Sequence, residues 1–237
     1  AGVRYSIKNP HTYIKTNIQG FLNIIELCRH NNVKGLIYAS SSSVYGGNTK
    51  IPFSVTDTTD SPVSLYAATK KSNELIAHCY SSLYGLHTTG LRYFTVYGPW
   101  GRPDMAYYKF TNNIINDKTI EIFNHGKMKR DFTYIDDIIS GTKSAIKNNY
   151  KCEIFNLGNN KTEELMRLVE LLEKNLNKKA IIKMESMQLG DVEKTYADIR
   201  SAEELLGYKP SINLEDGIKL FTDWYKEYYN NQISTSI

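Results

Sequence analysis

The sequence predicts an α/β fold in which helices cover a parallel sheet. Short apolar runs that suit buried strands alternate with longer segments whose apolar residues recur every three to four positions. Strands separated by helices are joined by crossover connections, so neighbouring strands are expected to be parallel. A third observation is a run of four serines directly after the first apolar run. This is the sheet edge at which α/β proteins bind their ligands.

The predicted sheet lies in residues 1–97. A helix is predicted over residues 12–30, a buried strand over 35–39, a long helix over 64–84 and a second strand over 88–94. The serine-rich stretch 40–62 joins the first strand to the long helix. The apolar residues expected on the inner sides of the two helices are Ile14, Ile18, Phe21, Leu22 and Ile25, and then Leu65, Ala68, Leu75, Ile76 and Leu83.

Residues 98–237 are predicted to form mainly a second, smaller domain, from which some segments return to the sheet. Helices are expected at 106–116 and 135–147, and strands at 120–123 and 152–157. Thr162 is the predicted cap of the next helix, and Ser201 with Glu204 forms a predicted capping box whose helix ends at Gly207. The last helix opens at Asn213. Its predicted buried stripe is Leu214, Ile218, Phe221 and Tyr225.

Tyr66 and Lys70 are the most informative pair, because residues four apart share one face of a helix. Alone, a tyrosine four positions before a lysine carries little weight in a chain with 18 tyrosines. The serines at 40–43, which would otherwise read as a flexible loop, and Thr95 follow the two predicted strands. Hydroxyls, phenol and ammonium are therefore expected to converge at one sheet edge.

Such a set of groups suits removal of a proton from a secondary alcohol. A phenol with a pKa near 10 is a weak base at neutral pH, and a nearby ammonium group or oxidised nicotinamide ring lowers that pKa. A serine hydroxyl can donate to the alcohol oxygen as it becomes a carbonyl. The hydride that leaves the same carbon needs an acceptor, so the pattern predicts a nicotinamide cofactor.

Four longer runs narrow the prediction to a family. Residues 40–46 (SSSSVYG), 64–71 (SLYAATKK) and 94–106 (FTVYGPWGRPDMA) resemble the extended short-chain dehydrogenases and, among them, the UDP-glucuronate 4-epimerases of the NAD-dependent epimerase/dehydratase family. Residues 124–137 (NHGKMKRDFTYIDD) are similar too, and the resemblance extends from Ala1 to about Tyr229. It implies a Rossmann-like domain followed by a smaller substrate domain.

The resemblance implies reversible inversion at C4 of UDP-glucuronate, giving UDP-galacturonate, through a 4-keto sugar and tightly bound NAD. Tyr66 would be the base, Lys70 its partner and Ser41 the assisting hydroxyl. The implied NAD contacts are Ala1, Gly2, Arg4, Thr16, Tyr66, Lys70 and Phe94. The implied substrate contacts are Ser41, Ser42, Ser43, Tyr66, Thr95, Arg102, Ala106, Glu121, Phe123, Arg130, Gln188 and Asp191.

Two positions bear on the choice of sugar. By resemblance, Thr95 and Arg102 hold the sugar carboxylate, and a bidentate arginine can keep a β-keto acid out of the geometry in which it loses CO2. Ser43 stands where relatives that decarboxylate or dehydrate the sugar carry glutamate, which argues against both activities. Two alternatives stay open: a 4-epimerase of neutral UDP-sugars, and a catalytically silent nucleotide-sugar-binding protein.

One departure from the family pattern is large. The family opens with a strand and a Gly-x-x-Gly-x-x-Gly loop that cradles the cofactor pyrophosphate, and no such motif occurs in this sequence. The expectation is therefore a Rossmann-like domain that lacks its first strands. The isolated 237-residue piece is expected to be poorly stable and inactive.

Composition excludes several classes of protein. The net charge of +4 is scattered rather than clustered, so no nucleic-acid partner is predicted, and no apolar run is long enough for a membrane span. No metal site is predicted. Three cysteines form no disulfide framework, which indicates a reducing, cytoplasmic setting. The resemblance implies a homodimer built by the helices at 12–30 and 64–84, although both apolar stripes could be intrachain core instead.

Overall fold

The computed structural model describes residues 2–188 and 190–234. Its central feature is a three-stranded parallel sheet, in the order β1–β2–β7, formed by Leu36–Ser41, Thr88–Tyr93 and Cys152–Leu157. The register pairs Ser41 with Tyr93 and Tyr93 with Leu157, so that the three strands end together. The prediction of an α/β fold with a parallel sheet is confirmed.

The helix predicted over residues 12–30 is divided in the structure, and another short helix precedes it. Val3–Lys8 (α1) and Pro10–Tyr13 (α2) are short α-helices, Ile14–Gln19 is a π-helix, and Gly20–His30 (α3) is α-helical again. Ile25 is fully buried as predicted, whereas Ile14 and Leu22 are exposed. The predicted inner stripe is therefore wrong at those two positions.

The long helix Leu65–Tyr84 (α4) has its predicted bounds. Ser64 caps it by accepting the N–H of Ala67 at 3.1 Å, and Gly85 ends it with a φ of 67°. The side chains that it buries are mostly small or polar: Ala67, Thr69, Asn73, Glu74, Ala77 and Ser81. Leu75 and Leu83, predicted on the inner side, are 56% and 71% exposed, so that prediction is wrong. The inner face is filled instead by polar groups that bond to neighbouring elements.

The second half of the chain adds three pairs of short strands and three helices around one core. Thr95–Tyr97 (β3) pairs with Phe132–Tyr134 (β6), Thr119–Phe123 (β4) with Ile181–Glu185 (β9), and Lys129–Arg130 (β5) with Glu163–Glu164 (β8). The helices are Ala106–Ile115 (α5), Leu165–Leu176 (α7) and Leu214–Ser234 (α9). Their shared core includes Tyr107, Ile114, Ile122, Leu168, Phe221 and the predicted stripe of α9.

Two further helices pack next to β7, the strand at one edge of this sheet. Ile135–Asn148 (α6) and Arg200–Leu206 (α8) bury Ile138, Ala202 and Leu206 against Phe155 and Leu157 of β7. A segment from the second half of the chain thus completes the sheet. The division into two domains near residue 98 stays a prediction.

The predicted helix ends have mixed outcomes. Asn213 Oδ1 accepts the N–H of Asp216 at 2.9 Å, as a cap of α9 should, and Gly207 ends α8 with a φ of 65°. The prediction for Thr162 is wrong, because β8 intervenes and α7 begins after Glu164. The capping box at Ser201 is also wrong. The helix begins after Ile199, and the carboxylate of Asp198 accepts the N–H of Arg200 at 3.1 Å instead.

In residues 2–188 and 190–234, no helix combines the length and the apolarity that crossing a bilayer would demand. The three thiols of the chain are free, with Cys28 and Cys152 half-buried and Cys79 exposed.

Candidate active site

The serine run lies at the carboxyl end of β1. The strand continues two residues further than predicted, so that Ser40 and Ser41 are its last members and are buried. Ser42–Tyr45 then form a 3₁₀ turn rather than a flexible loop. The Ser41 hydroxyl accepts the N–H of Ser43 at 3.2 Å and thereby caps the turn. This cap holds the Ser41 oxygen at the sheet edge.

The first turns of α4 bring Tyr66 and Lys70 to the same edge. The Ser41 hydroxyl, which donates to Ser43 Oγ at 3.2 Å, also lies close enough to the Tyr66 phenol to favour the phenolate. Lys70 Nζ donates to the backbone oxygen of Ala39 at 2.8 Å, two residues before Ser41 on β1. Tyr13 packs edge-on to Tyr66, with ring centroids 6.1 Å apart. The ring of Tyr66 therefore lies beside the serine turn and lines a cleft.

Burial governs the ionisation of both groups. It raises the pKa of Tyr66, whereas the nearby Ser41 hydroxyl and the positive charge of Arg102 act in the opposite direction. Burial also lowers the pKa of Lys70. From the sequence, the Lys70 ammonium group was expected to lower the pKa of the Tyr66 phenol. In the structure that ammonium group is directed to Ala39, and Ser41 and Arg102 favour the phenolate instead.

Arg102 lies on the loop between β3 and α5, at the mouth of the cleft. Its Nε and Nη2 atoms each donate to the carboxylate of Asp104 at 3.0 Å. The loop begins at Gly98, whose φ is 142°. A Cβ atom at Gly98 would lie 2.6 Å from Ile135 Cγ2, so the position requires glycine. The loop thereby places a guanidinium group over the cleft that contains Tyr66.

Two further arginines, Arg4 and Arg130, also line the cleft. The Arg4 guanidinium stacks 4.9 Å from the ring centroid of Phe123 and donates to Asp191 at 3.3 Å. Arg130 donates to the backbone oxygens of Lys129 and Glu193, both at 2.9 Å, and burial lowers its pKa.

The cleft has a volume of about 720 Å³ and brings together most residues that the resemblance implied. Those that line it are Gly2, Arg4, Ser41, Ser42, Ser43, Tyr66, Lys70, Phe94, Thr95, Arg102, Ala106, Glu121, Phe123, Arg130 and Asp191. Thr16 is exposed on the π-helix and Gln188 precedes Asp191, and neither lines the cleft. Ala1 lies outside the described residues. The roles of all these residues stay predictions.

Three charged residues near the site were not singled out from the sequence. Asp104 binds Arg102, and Glu74 forms a fully buried pair with Arg92 next to Ser40. Arg92 carried a usable signal, because a charge inside an apolar strand needs a buried partner. Its partner could not be identified, since Glu74 lies 18 residues away on α4.

Comparisons with known proteins agree with this geometry. The model of the NAD dependent epimerase/dehydratase family matches residues 1–158. An uncharacterized protein of Methanocaldococcus jannaschii is 58% identical over 227 residues, covering 96% of this chain and 70% of that protein. UDP-glucuronate 4-epimerase 3 of Arabidopsis thaliana is 51% identical over 250 residues, covering 97% of this chain and 58% of that protein.

Among solved structures, the UDP-glucuronic acid 4-epimerase of Bacillus cereus in complex with UDP-glucuronic acid and NAD is similar to this chain. Its TM-score is 0.88 at 36% identity, over 97% of this chain and 73% of that one. The family model covers two thirds of the residues, and the relatives match nearly all of them. The chain belongs to the NAD dependent epimerase/dehydratase family.

Proposed function

We propose that the full-length protein interconverts UDP-glucuronate and UDP-galacturonate by inversion at C4, with NAD as its cofactor. The observation that carries this proposal is one cleft that holds the Tyr66–Ser41 pair at the sheet edge and the Arg102 guanidinium at its mouth. Proteins named as UDP-glucuronate 4-epimerases support it, at 51% identity in Arabidopsis and 36% in Bacillus cereus.

The donors at the sheet edge fit a dinucleotide. Lys70 carries three N–H protons and donates one to Ala39, so others can be donated to ribose hydroxyls. Gly2, Arg4 and Phe94 line the same cleft, and Arg4 can bind a phosphate. When bound, NAD supplies a hydride acceptor for C4 of the sugar.

Tyr66 and Ser41 handle the proton of the C4 hydroxyl. The phenolate of Tyr66 accepts that proton as general base, and the Ser41 hydroxyl donates to the C4 oxygen. Burial raises the pKa of Tyr66, so the phenolate must be stabilised at the moment of reaction. Ser41 and Arg102 already act in that direction. The 4-keto sugar then turns within the cleft, so that the opposite face of C4 would be the one to take the hydride back, and Tyr66 returns the proton to the C4 oxygen.

Arg102 and Thr95 would hold the sugar carboxylate. A carboxylate bound by both nitrogens of one guanidinium edge is fixed in orientation as well as position. It therefore stays out of the alignment with the C4 carbonyl that releases CO2. Asp104 accepts from Nε and Nη2, so the edge left for the sugar carboxylate is that of Nη1 and Nη2, where Nη2 also donates to Met105 Sδ at 3.4 Å.

The uridine diphosphate would extend towards Arg130 and the strand β4. The guanidinium group of Arg130 is a cation suited to the diphosphate. Glu121, Phe123, Ala106 and Asp191 line this end of the cleft and would contact the uridine.

Product analysis tests the proposal. Full-length protein incubated with UDP-glucuronate should yield UDP-galacturonate, and the reverse reaction should proceed from UDP-galacturonate. A decarboxylated UDP-pentose as the main product would refute it. Conversion of UDP-glucose with none of UDP-glucuronate would assign the protein to the epimerases of neutral sugars instead.

We further propose that the protein is a homodimer formed by α3 and α4. Both helices expose apolar side chains, including Ile24 and Leu27 on α3 and Leu75 and Leu83 on α4. Light scattering of the purified full-length protein should give twice the mass of the monomer, and Leu83→Glu should halve it. Leu205→Glu, at an exposed leucine of α8, is the control that should leave the mass unchanged.

A cytoplasmic location is also part of this proposal. Three free thiols support it, because structural disulfides are typical of oxidising compartments. Recovery of the protein from the extracellular or membrane fraction of its cells would contradict it.

A further inference from the structure

The face of α4 that carries Tyr66 contacts three consecutive residues of β1. Tyr66, Lys70 and Glu74 are spaced four apart and so share one side of the helix. Tyr66 lies beside Ser41, Lys70 Nζ donates to Ala39 O at 2.8 Å, and Ser40 Oγ donates to Glu74 Oε1 at 2.6 Å. The proposed function uses the first two contacts. The third joins Ser40, which lines the cleft, to Glu74, which does not, and the proposed function gives neither residue a role.

Glu74 is fixed by a buried arginine of the next strand. Arg92 Nε and Nη2 donate to the two carboxylate oxygens of Glu74, both at 2.8 Å. Each side chain of this pair is 2% exposed. Arg92 is the register neighbour of Ser40 on β2, so one carboxylate bonds to both strands at the same level of the sheet. A bidentate pair fixes direction as well as distance.

The network continues to the end of the serine turn. Arg92 Nη1 donates to Tyr45 Oη at 3.0 Å, and Tyr45 Oη donates to Asn156 Oδ1 of β7 at 2.6 Å. Tyr45 closes the turn that Ser41 caps. The bonded groups therefore tie α4 to all three strands of the sheet and to the turn that presents the Ser41 hydroxyl.

We propose that Glu74, anchored by Arg92, is a positioning residue that sets α4 on β1 so that Tyr66 and Lys70 face Ser41. The inference rests on the proposed function, because it concerns the geometry of that reaction. Without the contact of Ser40 with Glu74, this face of α4 keeps its bond to Arg92 of β2, but its polar contacts with β1 are reduced to those of Tyr66 and Lys70, the two groups that also serve the reaction. Displacement of reacting groups by about 1 Å can cost two orders of magnitude in rate, so a loose helix would lower turnover.

The variant Ser40→Ala tests this inference, with Ser81→Ala as its matched control. Ser40 and Ser81 are each 3% exposed, and each donates one hydrogen bond, to Glu74 and to Lys151 O respectively. Ser81 lies on α4, 15 residues after Tyr66, and differs from Ser40 in that it does not line the cleft. Ser40→Ala leaves the Glu74–Arg92 pair intact, so both variants should fold. Each should lower Tm by a similar amount, about 2–4 °C.

Only Ser40→Ala should lower kcat, by about tenfold, while KM for the nucleotide sugar changes little. Its pH profile should also change. Among the described residues, the side chains that act on Tyr66 are Ser41, Tyr13 and the cationic Arg102. If Ser41 moves away from the Tyr66 phenol, the phenolate loses a stabilising hydroxyl. The acidic limb of the plot of kcat against pH should then shift to higher pH by about half to one unit. A purely structural serine would not move this limb.

The assay uses full-length protein and the nucleotide sugar that the wild type converts, UDP-glucuronate or, failing that, UDP-glucose. Wild-type protein that converts only UDP-glucose would refute the proposed substrate and still allow the serine comparison. Equal kcat for Ser40→Ala and Ser81→Ala would refute the positioning role, as would a Ser40→Ala variant with higher KM and unchanged kcat. Wild-type protein that converts neither sugar would overturn both proposals.

Discussion

Removing the guanidinium group at the mouth of the cleft should separate charged from neutral substrates. In Arg102→Ala the sugar carboxylate loses a bidentate, charge-assisted partner, which is worth about 1.5–3 kcal/mol when well ordered. The Arg102 side chain is 44% exposed, and solvent competes for such a pair. A realistic loss is about 1–2 kcal/mol, which corresponds to a rise in KM for UDP-glucuronate of about 5- to 30-fold. KM for UDP-glucose, which has no carboxylate, should barely change.

Steady-state kinetics with both sugars measure this difference, and a second product gives an independent reading. If Arg102 also keeps the carboxylate out of line with the C4 carbonyl, the variant should release CO2 and a UDP-pentose that the wild type does not form. Arg102→Lys keeps the charge but not the two-pronged geometry. It should recover part of the affinity and still release CO2.

Lys109→Ala is the control for a general effect of charge. Lys109 also lines the cleft, with its side chain 50% exposed beside Glu121. Its loss should change KM for both sugars by the same factor. If Arg102→Ala does the same, or leaves both values unchanged, the assignment of Arg102 to the carboxylate is wrong.

Three further predictions follow from the structure. Tyr66→Phe should lower kcat by about 10²–10⁴-fold with little change in KM, and near-normal turnover would remove Tyr66 as the base. Glu74→Gln breaks a fully buried pair and should cost about 3–5 kcal/mol, a fall in Tm of about 6–20 °C in thermal unfolding. The control is Glu170→Gln, which breaks an exposed pair with Arg167 and should lower the free energy of unfolding by less than about 1 kcal/mol. Equal losses of stability in the two variants would contradict the assignment of a buried ion pair to Glu74. Burial raises the pKa of Asp131 from 3.8 to about 6, so the folded state binds a proton that the unfolded state has released between these values. Stability should therefore fall by up to about 3 kcal/mol as pH rises from about 4 to 6, and urea unfolding should show that Asp131→Asn lacks this slope.

The sheet and the long helices could be predicted because each leaves a strong local pattern. The first two strands are apolar runs in the sequence, and α4 and α9 have capping residues at their first turn. The sequence also placed Tyr66, Lys70 and the serines at one sheet edge, because the carboxyl ends of parallel strands meet there.

The short strands of the second half could not be predicted in the same way. Strands of two or three residues, such as β5 and β8, are too short to show any period. The strand Ile181–Glu185 was missed although it contains apolar residues. Its side chains are mostly exposed, so it lacks the alternation of a half-buried strand.

The helix α4 shows why apolar patterning chose the wrong inner face. Leu75 and Leu83 are the strong apolar signals, and both are exposed. The buried face contains polar side chains whose partners lie on other elements. Glu74 bonds to Arg92, Asn73 Nδ2 donates to Asn17 O at 2.6 Å, and Ser81 Oγ donates to Lys151 O at 2.9 Å.

Burying such polar groups costs little free energy only when each of them is hydrogen bonded. A single sequence does not show which residues are their hydrogen-bond partners. The leucines of α4 therefore lie on the face that is exposed, not on the face that packs against the sheet. The opposite face carries Tyr66, Lys70 and Glu74 at a spacing of four residues. Lys70 and Glu74 form hydrogen bonds with β1 and β2. In α4, the four-residue spacing of polar side chains therefore identifies the side that faces the cleft and the sheet better than the spacing of its leucines does.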